Sequence, residues 1–307
     1  VIQRWVDCDG LWVHTVEWAP PGAGATRADA ARVLLVHGLG GSTVSWEPIG
    51  EELAARLGTT VTALDLPGFG RTRPEGRPAS FPVHLALLEA FVAATGPSVL
   101  VGNSMGGALG VALAARRPDL LEGLVLVNAA YPRPRANVEQ LARSLRFAAL
   151  MFPRAAAPIV RRRAHALGPE GLVDSTLSVV LADPAALDPS VRARLVELAR
   201  ERGGYAEVAP AYAQSGGSLF RYLTGSMRDD IGRVHCPTLM VHGRRDQLVP
   251  VTFARAVAHR RPDWPFVELS GCGHAPQLEQ PHRLVGLIGD WLDPLARHAA
   301  PGRAAPA

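Results

Sequence analysis

The run Val99-Leu100-Val101-Gly102-Asn103-Ser104-Met105-Gly106-Gly107 constrains this chain more than any other segment. Three apolar residues lead into a G-x-S-x-G pattern, and a helix-like stretch follows through Leu113. A strand that turns at once into a helix leaves no room for side chains two residues before and two after the turning point. Gly102 and Gly106 occupy those positions. The residue at the turn is held at strained dihedrals and projects from the carboxyl edge of a sheet. The helix N-terminus beneath it offers free N–H groups and a partial positive charge. Serine also caps helices without doing any chemistry. The strand before and the helix after favour Ser104 as a nucleophile.

The rest of the chain repeats the same alternation. Residues 2–18 alternate polar and apolar around Asp9-Gly10, which predicts a β-hairpin. Short apolar runs follow at Arg32–Val36, Val61–Leu64, Leu124–Val127, Thr238–Val241 and Phe266–Leu269, with helix-like stretches between them. Apolar strands without strict alternation, separated by helices, predict a parallel sheet buried on both faces. From Tyr131 to Arg233 the strand rhythm stops, and this segment carries 15 Arg against 10 acidic residues. The expected layout is a core of residues 1–130 and 234–298, a helical insertion over 131–233, and a disordered tail at 299–307.

Composition excludes several classes. The net charge is +4, every basic residue is Arg, and the longest basic run, Arg161–Arg163, has no interleaved aromatics. Such a run reads as a solvated helix face and not a nucleic-acid platform. No apolar run reaches the roughly 18–20 residues that cross a bilayer, so no stable membrane insertion is expected. The three cysteines, Cys8, Cys236 and Cys272, form neither a disulfide framework nor a zinc pattern. Reduced thiols and a start that does not read as a signal peptide lead to the expectation of a cytoplasmic protein. No metal or organic cofactor is expected.

A nucleophilic serine needs a base, and the base needs an acid to orient it. Two late loops offer them. Asp246 lies just beyond the run Leu239–Val241, at the edge where open α/β sheets bind ligands. Asp229 and Asp230 precede that strand, and Asn128, beyond the strand before it, cannot carry a charge. His274 follows the last strand in Gly271-Cys272-Gly273-His274-Ala275-Pro276. His242, His259, His282 and His298 read as strand-end or helix residues, and Cys272 as a small loop residue. The glycine-rich run His37-Gly38-Leu39-Gly40-Gly41 ends another strand. Its Leu39 N–H and the Met105 N–H are the expected pair of oxyanion donors, with Gly38 and Gly40 beside the substrate.

With these motifs in place, the chain resembles the α/β-hydrolase superfamily. The residues that carry the resemblance are 37–41, Asp65-Leu66-Pro67-Gly68-Phe69-Gly70, the elbow at 102–106, Asp246, and Gly273-His274. The resemblance implies an α/β-hydrolase fold: an eight-stranded, mostly parallel sheet flanked by helices, with the insertion as a helical cap. Relatives that open epoxides or displace halide carry Asp at the elbow, which Ser104 argues against.

The resulting expectation is a carboxylic ester hydrolase that acts on a small-molecule acyl substrate through Ser104, His274 and Asp246. The hexapeptide Gly-Asn-Ser-Met-Gly-Gly is also similar to carbon–carbon bond hydrolases of ring-fission products, although Gly40-Gly41 and Ala275 depart from their pattern. A non-catalytic binding protein on the same fold is a third reading, set against a complete triad. Phe147, Met151, Phe152 and Leu181 could line an apolar pocket or a helix–sheet interface. Monomer and homodimer both stay open.

Overall fold

A computed structural model describes residues 1–22, 32–133 and 153–299. Strands β1 (Ile2–Cys8) and β2 (Leu11–Trp18) form the expected hairpin, with Cys8 paired to Leu11. Asp9 and Gly10 both have positive φ, 52° and 73°, the twist that a two-residue hairpin turn requires. β3 (Arg32–Val36), β4 (Val61–Leu64), β5 (Ser98–Asn103), β6 (Leu121–Val127), β7 (Thr238–Gly243) and β8 (Phe266–Leu269) complete an eight-stranded sheet. Its order is β1-β2-β4-β3-β5-β6-β7-β8, and every pairing from β4 onward is parallel.

The continuous apolar strands are explained by burial on both faces. In β3, Leu34 and Val36 point into one core while Val33 and Leu35 point into the other. β6 repeats this, with Leu124 and Leu126 on one side and Val125 and Val127 on the opposite side. Helices α1 (Glu47–Leu57) and α10 (Pro281–Ala299) cover one face through Ile49, Leu53, Leu284 and Ile288. The other face is covered by α2 (Phe81–Thr95), α3 (Met105–Arg116) and α8 (Val251–Arg260), through residues such as Leu88, Leu109 and Val257. A short helix, α9 (Pro276–Glu279), follows β8.

Between β6 and β7 lie α4 (Pro153–Val180), α5 (Pro189–Arg202), α6 (Val208–Thr224) and α7 (Met227–Arg233). α4 is broken at Gly168, where φ is 65°, and Pro169 follows the break. Val173, Leu177, Leu181, Val191 and Val196 form a separate small core that reaches down to Ala275 and Leu278. Leu181 therefore packs at an interface between helices and the loop after β8. α7 instead buries Met227 and Ile231 in the main core against α3. Among the described residues, no helix is long and apolar enough to cross a membrane.

α6 is joined to the core by polar side chains. Ala79 N–H donates to Gln214 Oε1 at 2.9 Å, and Phe81 N–H donates to Ser218 Oγ at 2.8 Å. Ser215 Oγ donates to Ala79 O at 2.7 Å and lies 2.8 Å from His84 Nε2. Because the hydroxyl proton is spent on Ala79, Nε2 of His84 must be the donor, and His84 Nδ1 is buried with no partner among the described residues. Burial pushes the His84 imidazole down from 6.5 to about 3.

This makes His84 an acid-sensitive joint. Between these two values the unfolded chain holds a proton that the folded chain rejects, so stability rises with pH across the window. The expected slope is about 1.4 kcal/mol per pH unit for one proton. His84→Gln keeps a donor for Ser215 and should remove that slope between pH 6 and 4. Urea unfolding of both proteins at several pH values measures it, and an unchanged slope would show that His84 does not titrate on unfolding.

Candidate active site

The site begins at the junction of β5 and α3. Ser104 has φ 53° and ψ −113°, a conformation that only its surroundings can hold. Its N–H donates to Val127 O at 3.1 Å, and its carbonyl accepts from Ala108 N and from Ala130 N at 2.9 Å. A Cβ on Gly102 would lie 2.4 Å from the Gly106 carbonyl carbon, and one on Gly106 would lie 2.1 Å from Val36 O. The elbow thus closes only with glycine at both positions, as the sequence pattern requires.

The loop after β3 lies against this elbow. A Cβ on Gly38 would sit 2.9 Å from Ser104 Cβ, which places the loop beside the serine. His37 locks the loop. Its Nε2 accepts from Leu66 N–H at 3.0 Å, so Nδ1 carries the proton and donates to Gly38 O at 2.7 Å. Burial lowers the His37 pKa, in keeping with a neutral ring. Gly41 N–H also donates to Gly38 O, at 3.0 Å, and Gly40 takes φ 78°. The N–H groups of Leu39 and Met105 donate to no acceptor among the described residues. The Tyr212 ring of α6 covers Gly40, 3.0 Å from where a Cβ would be.

Asp65 holds the adjoining turn. Fully buried, it accepts from Thr43 N–H at 2.7 Å and Arg71 N–H at 2.9 Å, and it lies 2.8 Å from His14 Nδ1. Burial would raise its pKa, but the hydrogen bonds from His14 and from the backbone N–H of Arg71 hold it below the usual carboxylate range. The run at 65–70 therefore braces the loop after β3.

Beyond β7, Asp246 Oδ1 accepts from Leu248 N–H at 2.8 Å and Val249 N–H at 2.9 Å. Oδ2 accepts from Asn128 Nδ2 at 2.7 Å and lies 2.7 Å from His274 Nδ1. His242 Nε2 is a further neighbour of Oδ2 at 3.4 Å. Burial would raise the Asp246 pKa, but the neighbouring imidazoles of His274 and His242, through their hydrogen bonds, carry it well below the carboxylate range. An ionised Asp246 accepts a hydrogen bond from His274 Nδ1–H, a tautomer that leaves the Nε2 lone pair free. Asn103, next to Ser104, donates through Nδ2 to His274 O at 3.0 Å and so links the histidine to the elbow. Among the described residues no hydrogen bond joins Ser104 Oγ to His274 Nε2, a contact that often tightens only with substrate bound.

The remaining expectations sort as follows. Asp230 lies on α7 beside Arg233 and Ser226, away from His274. Cys272 is fully buried, and burial together with Glu279 pushes its thiol well above the ordinary value, the opposite of an activated nucleophile. Phe147, Met151 and Phe152 lie outside the described residues. A groove of about 440 Å³ between residues 73–79 and α6 is lined by Arg73, Glu75, Arg77, Glu207 and Gln214, among others, and by none of the expected catalytic residues. Four contributors were missed from sequence: Asn103, Asn128, His242 and Glu279. Only Asn128 carried a signal, its place at the end of β6.

Residues 31–281 match the family described as alpha/beta hydrolase fold. The chain belongs to that family. It is 28% identical over 281 residues to a pimeloyl-[acyl-carrier protein] methyl ester esterase of Chromobacterium violaceum, covering 87% of this chain and 96% of the relative. It is 27% identical to a 2-hydroxy-6-oxo-6-(2'-aminophenyl)hexa-2,4-dienoic acid hydrolase of Metapseudomonas resinovorans, covering 95% and 91%. A thermophilic esterase from Thermogutta terrifontis shares the fold, with TM-score 0.72, 24% identity and coverage of 96% and 100%.

Asn128 can be tested directly. It bonds Asp246, donates to Gly273 O at 2.9 Å and accepts from Gly243 N–H at 3.1 Å. Asn128→Ala orphans buried groups on three segments and should cost about 2–5 kcal/mol. The denaturation midpoint in urea should fall with the slope m unchanged; an unmoved midpoint would contradict this network.

Proposed function

We propose that this α/β-hydrolase family member cleaves carboxylic esters through an acyl-enzyme intermediate. Ser104 attacks the ester carbonyl, and His274 Nε2 takes its proton. The N–H groups of Leu39 and Met105 receive the oxyanion. His274 returns the proton to the leaving alcohol, then activates the water that releases the acid. Asp246 keeps the imidazole in the right tautomer and stabilises its charged form. The observation that carries this reading is the strained Ser104 turn, tied through Asn103 to a histidine whose Nδ1 faces a buried carboxylate. The helices α4–α6 are then read as a cap, and the Tyr212 ring lying over Gly40 supports a position above the oxyanion loop. The three cysteines are all unpaired, which fits a reducing compartment such as the cytoplasm.

The second reading is cleavage of a carbon–carbon bond in a vinylogous diketo acid. It is favoured by the elbow Gly-Asn-Ser-Met-Gly-Gly and by the similarity to the dienoic acid hydrolase. Short-chain nitrophenyl esters and a coloured ring-fission product, assayed side by side, separate the two by the ratio of kcat/KM. Ser104→Ala should lose at least about 10⁴-fold in kcat on the preferred substrate, because the nucleophile and base act as a unit. Its circular dichroism should match the parent. Full turnover by this variant would remove Ser104 from the mechanism.

A further inference from the structure

The backbone of the base is held from two directions. On the core side, Asn128 Nδ2 donates to Gly273 O at 2.9 Å and Asn103 Nδ2 donates to His274 O at 3.0 Å. On the insertion side, His274 N–H donates 2.7 Å to the carbonyl of Val180, the last residue of α4. The remaining group, Gly273 N–H, donates to both oxygens of Glu279 at 2.9 Å. Every backbone donor and acceptor of Gly273 and His274 is therefore engaged.

Glu279 does more than close this set. Its Oε2 also accepts from Ala182 N–H at 2.7 Å, just past the exit of α4, and its Oε1 accepts from Ala275 N–H at 3.3 Å. The Cys272 thiol approaches Oε1 at 3.7 Å. One carboxylate thus bonds residues on both sides of His274 and the connection between α4 and α5 within the insertion. The contact is close enough to exclude any side chain at 273. A Cβ on Gly273 would lie 2.6 Å from Ala182 N and 2.7 Å from Val180 O.

We propose that Glu279 is a positioning residue for the catalytic base, fixing His274 by clamping its loop to the segment just after α4; this rests on the triad reading above. Glu279 touches no reacting atom. It acts through the loop, where a misplacement of the imidazole by a fraction of an ångström slows proton transfer from Ser104 without changing how substrate is held.

Glu279→Gln retains size but loses the charge and one of the two acceptor oxygens. Purified wild type, Glu279→Gln and Glu279→Asp are compared by steady-state ester hydrolysis, by the rate of Ser104 labelling with a fluorophosphonate, and by thermal melting. The expected result for Glu279→Gln is a fall of about ten- to a hundredfold in kcat and in labelling rate, with KM within about twofold. Glu279→Asp, which keeps the charge on a shorter arm, should lie between it and the wild type. Unchanged kcat and labelling in a folded Glu279→Gln protein, whatever its melting point, overturns the proposal. Should that variant fail to fold, Glu279→Asp decides: reduced kcat at constant KM supports the clamp, and wild-type kcat overturns it. A wild type that resists fluorophosphonate overturns the triad reading instead.

Discussion

A carboxylate nearly out of reach of water is tolerable only when donors surround it, and Asp246 imposes that condition on everything near it. The donors come from three places in the chain: its own turn at Leu248 and Val249, Asn128 after β6, and His274 after β8. Satisfying one buried charge therefore requires three strand ends to meet at a single point. The parallel sheet makes this possible, because β6, β7 and β8 run side by side and end on the same edge. The same convergence holds the imidazole in one tautomer. A structural requirement of the core and a chemical requirement of the site are met by the same set of bonds.

The elbow answers to a different constraint, which is steric. Ser104 keeps its strained backbone because Val127 of β6 accepts its N–H and Ala130, just beyond β6, donates to its carbonyl. Gly106 allows α3 to start against the end of β3, and this brings the glycine-rich loop beside the serine. Ser104 and the loop are thus close because the packing of α3 on the sheet leaves them nowhere else to go. His37 and Asp65, both buried, then set the shape of the loop from behind.

Much of this was legible in the sequence where a local rule carries it. Apolar runs buried on both faces predicted the sheet, paired glycines predicted the turn, and Asp9-Gly10 predicted the hairpin. The order Ser104, Asp246, His274 placed three side chains on loops at one sheet edge. What stayed hidden has no local rule. Asn103 and Asn128 work through amides that bond residues 171 and 118 positions away, and an amide follows no periodicity. His242 reads as a strand residue, which it is, and its approach to Asp246 depends on how the turn at 243–249 folds back. α7 resembles the helices before it in composition, yet Met227 and Ile231 place it in the main core beside α3. Neither the periodicity nor the charge of so short a helix reveals which layer it joins.

The contact between Gly273 and the exit of α4 also bears on how such a chain can change its substrate. A helical insertion between two strands can be exchanged or rebuilt without disturbing the sheet, which makes it a natural place for specificity to diverge. Here that freedom is unequal along the segment. Residues 180–182, between α4 and α5, supply a carbonyl and an N–H to the loop that carries His274, so this stretch of the insertion is tied to the sheet edge. A substitution at that junction therefore reaches the loop of His274 directly, through two backbone hydrogen bonds, whatever the rest of the insertion does.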